Sequence, residues 1–233
     1  MPSVLITGAG RGFGLALFDV YSQRGWTVLP LVRDPQVASE LQGSSSSACH
    51  PIVADVTSGQ LEEAIEEVVG EHCESLDVLI NNAGNIKKRR GLENTFPQDV
   101  EDLFRVHCVG ALRCTKAVLP YLARASSPVV VNISSRFGSI ARVMAGQGTT
   151  IYSYPIAKCA QNMLSACLDQ ELKKQGIRVF AVHPGGLKTS AAAPDADTEP
   201  ETAAVALADW IDGIDDGTPC GFHDVMSGTL LSW

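Results

Sequence analysis

The sequence predicts an α/β fold: one doubly wound, Rossmann-type domain around a mainly parallel seven-stranded sheet. Three observations predict it. Apolar runs rich in Val, Ile and Leu recur at 3–7, 26–32, 51–54, 76–81, 129–134, 177–183 and near Phe222. Helix-length segments with apolar residues three or four apart lie between them, as in Leu61-Ala64-Ile65-Val68-Val69 and Leu103-Phe104-Val106-Val109-Leu112. The first run also leads straight into a glycine-rich turn followed by a helical pattern. Strands that read as unbroken apolar runs are covered on both faces, which is the mark of a parallel sheet with helices on each side. Parallel strands then join by right-handed crossovers.

Composition agrees with this. At 233 residues, 45% hydrophobic and 19% charged, the chain can bury a core and is too ordinary for disorder, coiled coil or collagen. No stretch nears the roughly 18 unbroken apolar residues of a membrane span. The opening Met-Pro-Ser-Val-Leu-Ile-Thr has no basic region or cleavage site, so no signal peptide is expected. Seven cysteines without a C-x-x-C pair indicate neither a disulfide framework nor a zinc site, and reduced thiols in a cytoplasmic protein are expected. A net charge of −8 argues against a nucleic-acid partner. No repeat or linker divides the chain, so residues 1–233 are expected to form a single domain.

The first strand, 3–7, runs into Thr-Gly-Ala-Gly-Arg-Gly-Phe-Gly at 7–14. In a strand–turn–helix unit Gly8 permits the tight turn, Gly12 lets backbone N–H groups approach a pyrophosphate, and Gly14 lets helix and strand pack closely. The helix N-terminus adds partial positive charge. Alone, this turn also suits a flavin or methyl-donor site, or a purely structural role. After the second strand, 26–32, an acid would read the ribose 2′-hydroxyl of NAD and an Arg the 2′-phosphate of NADP. Here Arg33 comes first and Asp34 second. Arg33 with Arg11 would make a planar, charge-assisted phosphate site. The alternative is that both are solvated and Asp34 takes the ribose.

The third and fourth strands, 51–54 and 76–81, lead into Asp55-Val56 and Asn82-Ala83-Gly84. The basic run Lys87-Lys88-Arg89-Arg90 that follows is odd in so acidic a chain; with Arg136 and Arg142 on the neighbouring loop after Ser135, it reads as a solvated loop or as an attractor of an anionic substrate or partner. A helix over about 97–125 comes next. The fifth strand, 129–134, delivers Ser135 to the sheet edge where ligands bind in open α/β folds. Its hydroxyl can hydrogen-bond a developing oxyanion, and Ser134 competes for that role. On a helix over about 154–175, Tyr154 and Lys158 stand four apart and share a face. An ammonium there should lower the phenol pKa and make Tyr154 a general acid toward a carbonyl oxygen. The sixth strand, 177–183, leads into Pro184-Gly185, a loop over about 186–199 and a helix ending near Ile214.

Taken in order, these motifs resemble the short-chain dehydrogenase/reductase family over residues 7–189. The resemblance implies NADP(H) as cofactor, with a basic residue at Arg11 marking that choice. Gly8, Arg11, Gly12, Phe13, Gly14 and Arg33 would hold its phosphates. Asp55 and Val56 look like the pair at the adenine, and Asn81-Asn82-Ala83-Gly84 like the N-N-A-G segment near the ribose. Pro184, Gly185, Leu187 and Thr189 resemble the P-G-x-x-x-T segment at the nicotinamide carboxamide. The family register favours Ser135 over Ser134. It implies catalysis by Ser135, Tyr154 and Lys158, with Lys158 also holding the ribose, on a small carbonyl or alcohol substrate. The family's helix pairing implies a homodimer or homotetramer. The stretch Ser-Ser-Arg-Phe-Gly-Ser-Ile and the ending after Phe222 are similar to C-factor and sniffer-like carbonyl reductases. One departure stands out: His107 occupies the usual position of a proton-relay Asn in N-x-x-G. A histidine there would hold the same water or relay protons with a pKa near neutrality, or simply pack. A dinucleotide-binding regulatory protein without turnover is the rival reading.

Overall fold

The computed structural model describes residues 1–189, 196–215 and 217–233. Its strands are β1 (Ser3–Thr7), β2 (Thr27–Val32), β3 (Ile52–Val53), β4 (Val78–Asn81), β5 (Val129–Ile133), β6 (Arg178–His183), β7 (Phe222–Asp224) and β8 (Thr229–Leu231). They form one sheet in the order β3-β2-β1-β4-β5-β6-β7-β8. The first seven are parallel, and β8 runs antiparallel to β7.

The apolar runs are continuous because alternate residues serve different cores. Val4 and Ile6 of β1, Val129, Val131 and Ile133 of β5, and Phe180 and Val182 of β6 face one cluster. Leu5, Val130 and Val179 face the other. The first face is covered by α1 (Gly12–Gln23), α2 (Pro35–Ser44) and α8 (Pro200–Asp212). The second is covered by α3 (Leu61–His72), α5 (Gly110–Leu122) and α7 (Ser153–Leu172). Burying each such side chain contributes about 1.5–3 kcal/mol over leaving it exposed, so neither face of a strand tolerates polar substitution. The polar exceptions bond one another in a chain: Asn81 Nδ2 donates to Asn132 Oδ1 at 2.9 Å, and Asn132 Nδ2 to Ser165 Oγ at 2.9 Å.

Four boundaries differ from those expected. The helix expected over 97–125 is α4 (Pro97–Phe104), a π turn at Arg105–Val109, and α5. Periodicity cannot show such a break, since one inserted residue leaves the apolar pattern on both sides intact. The expected strand 51–54 shrinks to two residues at the sheet edge, where Pro51 has no N–H to donate. The helix beginning at Ser153 ends at Leu172, and a 3₁₀ turn at Lys173–Gln175 closes it on Gly176, whose φ is +78°. An eighth strand joins the seven expected, formed by a hairpin in which Asp224 Oδ1 accepts from the backbone N–H groups of Met226 and Ser227. Thr229 and Leu230 of β8 are exposed, so they carry no apolar signature. Among the described residues no helix is long and apolar enough to cross a membrane.

Candidate active site

A cleft of about 1460 Å³ runs across the C-terminal ends of the parallel strands. Glycines shape its first wall. Gly12 opens α1 with φ +55°, and a Cβ on Gly14 would collide with the Gly8 carbonyl oxygen and sit 2.5 Å from Asn82 Nδ2. Asn82 explains that closeness: its Nδ2 donates to the Thr7 carbonyl at 2.9 Å, tying the turn after β4 to the turn after β1. Thr7 Oγ1 completes the tie by accepting from the N–H groups of Asn82 and Ala83. The N-terminus of α1 has no side-chain cap and no acid in its first turn, so its unpaired N–H groups face the cleft with their positive dipole end. A cradle of this shape and polarity fits the pyrophosphate of a dinucleotide.

At one end of the cleft Arg33 follows β2. Its guanidinium is 73% exposed and stands 3.5 Å from Asp55 Oδ2. Burial pushes the Asp55 carboxyl up, but hydrogen bonds from Thr57 and the charge of Arg33 outweigh it and hold the carboxyl below its usual range. Asp34 caps α2, its Oδ1 accepting from Gln36 N at 2.9 Å.

The other end holds the reactive groups. Ser135 leaves β5 in extended conformation, and its Oγ accepts from Phe137 N at 3.3 Å. That hydroxyl acts on the Tyr154 phenol and draws its pKa down. Ser134 instead bonds Asn162 within α7, which separates the two serines by role. Lys158 is buried one turn below Tyr154, with Nζ 5.7 Å from the phenol ring centroid. It donates to the Ile133 carbonyl at 2.6 Å and to Gln161 Oε1 at 2.9 Å. His107 lies on the π turn, buried edge-on against Tyr154 with ring centroids 5.6 Å apart. Its Nε2 pairs with the Asn85 carbonyl at 2.8 Å, so this nitrogen carries the proton. Nδ1 is buried without a hydrogen-bond partner among the described residues. Gly84 makes room for the ring, since a Cβ there would strike His107 Cε1.

Two electrostatic expectations need correction. Lysine was expected to lower the tyrosine pKa. Burial instead pushes the phenol up to about 12, with Ser135 the only group opposing it. The reason is geometric: Nζ of Lys158 is drawn to the Ile133 carbonyl and Gln161, and burial brings its own pKa down to about 7. One of the readings open for His107 was a relay titrating near neutrality. Burial, reinforced by the charge on Lys158, holds it well below 6.5, so the imidazole is neutral at physiological pH.

Every residue selected from the sequence lines this one cleft: Gly8, Arg11, Gly12, Phe13, Gly14, Arg33, Asp55, Val56, Asn82, Ala83, Gly84, His107, Ser135, Tyr154, Lys158, Pro184, Gly185, Leu187 and Thr189. Of the loop expected over 186–199, Leu187 and Thr198 pair in a parallel bridge, whereas residues 190–195 lie outside the described residues. Sequence reasoning missed Gln161, although its i+3 spacing from Lys158 was a usable signal. It also missed His183, buried beside the cleft with a pKa that burial lowers to about 4.

Comparison with known proteins agrees with the geometry. The family model described as short chain dehydrogenase matches residues 2–200. Estradiol 17-beta-dehydrogenase 2 of Rattus norvegicus is 34% identical over 200 residues, 81% of this chain and 49% of that protein, so the chain spans about half the length of this relative. C-signal of Myxococcus xanthus is 31% identical over 158 residues, 68% of this chain and 93% of that protein. Among solved structures, NADPH-bound carbonyl reductase from chicken fatty liver superposes with a TM-score of 0.90 at 27% identity, covering 100% of this chain and 99% of that one. Carbonyl reductase Sniffer of D. melanogaster gives 0.89 at 26% identity, with 100% of both chains covered. The cleft and its motifs thus sit in a chain that belongs to the short-chain dehydrogenase family.

Proposed function

We propose that the chain is an NADP(H)-dependent oxidoreductase that reduces a ketone or aldehyde carbonyl, with Tyr154 as general acid. The observation that carries this reading is that Ser135, Tyr154 and Lys158 line the same cleft as the glycine cradle. The bound nicotinamide would supply the hydride. Tyr154 then offers a proton to the carbonyl oxygen, and Ser135 hydrogen-bonds that oxygen as negative charge grows on it. A phenol held at about 12 stays protonated at neutral pH, which suits an acid in the reductive direction. Lys158 would turn from Ile133 and Gln161 toward the cofactor ribose, and its charge there would ease proton loss from Tyr154. His107 can accept a proton or a water hydrogen at Nδ1 while Nε2–H stays on the Asn85 carbonyl, which fits a neutral relay in place of the usual Asn.

NADP(H) is favoured because Arg11 and Arg33 line the cleft, while Asp34, the acid after β2 that would read a ribose, is engaged as a helix cap. The NADPH-bound carbonyl reductase with the same fold supports it. Exposed Phe104 on α4 and Ile156 and Met163 on α7 leave apolar surface on neighbouring helices, which supports a homodimer or homotetramer. Seven unpaired cysteines support a cytoplasmic setting.

The test is NADPH oxidation with a panel of aldehydes and ketones. Tyr154→Phe removes only the acidic hydroxyl and should lower kcat by about 10²- to 10⁴-fold while NADPH binding survives. A wild-type protein that binds NADPH yet reduces nothing in the panel would favour the regulatory reading instead.

A further inference from the structure

The end of the cleft beyond Ser135 and Tyr154 is lined by four cationic side chains, Lys88, Arg90, Arg136 and Arg142. Among the described residues, the acids that line the cleft are Asp34 and Asp55, both at the far end beside Arg33. Asp197 and Asp224 are close enough to act on His183, but they do not line the cleft. In a chain of net charge −8 such a segregation is not a by-product of composition. A cleft lined by one sign of charge focuses its field on what enters.

We propose that the carbonyl compound reduced here carries an oxyanion group, carboxylate or phosphate, and that Arg142 is its anchor. The inference rests on the carbonyl-reductase reading of the same cleft and names the substrate class for it.

Arg142 is placed by a built scaffold. It lies on α6 (Ile140–Met144), whose cap Ser139 accepts from Arg142 N at 3.2 Å and donates through the same hydroxyl to the Ser232 carbonyl at 2.6 Å. Ala141 N donates to the Trp233 carbonyl at 3.0 Å, fixing the helix from its other side. Arg142 Nε is nevertheless buried with no hydrogen-bond partner among the described residues. A buried N–H left unpaired is costly, and an acceptor on a ligand would complete it. The planar guanidinium fork matches the two oxygens of a carboxylate or phosphate.

The basic run 87–90 divides accordingly. Arg89 Nε pairs with Asp99 at 2.9 Å and its guanidinium lies 4.6 Å over the Phe96 ring, so the fold itself accounts for it. Lys88 and Arg90, on either side of it, line the cleft. Arg90 Nη1 reaches Thr150 Oγ1 at a long 3.4 Å, and Gly91 N anchors the run to the Thr150 carbonyl at 2.9 Å. These cations do not serve the cofactor's 2′-phosphate. Arg33 ends β2 and Arg136 follows β5, three strand spacings away across β1 and β4, about 14 Å.

Three aldehydes test the proposal with NADPH as reductant: 4-carboxybenzaldehyde, 4-formylphenyl phosphate and methyl 4-formylbenzoate. The wild type should turn over at least one anion with kcat/KM about tenfold or more above the neutral ester, the factor a charge-assisted contact supplies. Which anion is preferred tells carboxylate from phosphate. Arg142→Met should bring the anion-to-ester ratio close to one, and Arg142→Lys, which keeps the charge but not the fork, should recover part of it. Salt offers a check that needs no variant: raising ionic strength should lower the ratio in the wild type, because it screens the attraction to the anion. An ester turned over as well as both anions, or a ratio that Arg142→Met and salt leave unchanged, would overturn the proposal while leaving carbonyl reduction standing. If none of the three consumes NADPH, the reductase reading fails and takes this inference with it.

Discussion

Arg33 carries the choice of cofactor in a single side chain, and its surroundings set how large the effect can be. Its guanidinium is mostly exposed and only loosely held by Asp55 at 3.5 Å, so little has to be broken for it to meet a 2′-phosphate. Arg33→Ala should therefore weaken NADPH by about 1.5 kcal/mol, roughly tenfold, the low end for a charge-assisted bond because solvent screens it. NADH affinity should stay put, and titration of both cofactors by fluorescence would show it. Equal losses for both would mean Arg33 supports the cleft rather than the phosphate. At this scale the sequence was legible where spacing alone dictates geometry. Tyr154 and Lys158 share a helix face whatever else happens, and Gly14 must be glycine wherever strand and helix meet at the Gly8 carbonyl. It was illegible where the environment decides. Nothing in Y-x-x-x-K says that Lys158 reaches back to the Ile133 carbonyl, or that burial overrides its charge at the phenol.

Elements translate those residues into a site. The π turn at Arg105–Val109 holds His107 against Tyr154, and Gly110, just after it, passes so close to Val56 that a Cβ would sit 3.0 Å from the Val56 Cβ. Such widened turns cluster at functional sites because they reorient one side chain without ending the helix. A second junction lies where the 3₁₀ turn Arg136–Gly138 docks on α7. A Cβ on Gly138 would stand 2.9 Å from the Lys158 backbone carbon and 3.1 Å from Asn162 Nδ2. Gly138→Ala must push this turn off α7 and carry Ser135 with it, away from Tyr154. We expect kcat to fall by tenfold or more, since a displacement of about 1 Å can cost a hundredfold in a positioned site. NADPH affinity should change little, because the cradle at α1 is untouched. A loss of NADPH binding equal to the loss of kcat would show that the turn supports the whole cleft. Strands and long helices were legible here as apolar runs and periodic faces. The π turn and β8 were not, for one hides inside an unbroken period and the other has too few buried residues to leave a pattern.

Across the whole molecule the buried histidines and Lys158 pull stability in one direction. Burial holds His107 well below 6.5 and His183 at about 4, so the native state refuses protons that the unfolded chain accepts once pH drops below 6.5. Lys158, brought down to about 7, gives up its proton in the native state while the unfolded lysine keeps it up to about 10.5. In both windows the unfolded state binds more protons, so the stability of the cofactor-free protein should rise with pH from about 5 to 6.5 and again from about 7 to 8. Each group contributes a slope of up to about 1.4 kcal/mol per pH unit where its two states differ by a full proton. Above 8 the trend is opposed by thiols, Cys49 and Cys114 among them, and then by the phenols of Tyr21 and Tyr154, which burial keeps protonated in the native state after those of the unfolded chain ionise. His107→Asn isolates one of these groups. Asparagine does not titrate, so urea unfolding of the variant should show the slope between pH 5 and 6.5 reduced by one proton, with the slope between 7 and 8 retained. Slopes are the right comparison, because the smaller side chain also leaves space beside Gly84 and shifts absolute stability at every pH. Identical slopes in the acid window would mean that His107 takes up its proton in the native protein as readily as in the unfolded chain. The imidazole would then be a charged group near neutrality, and the neutral relay through Nδ1 would have to be abandoned.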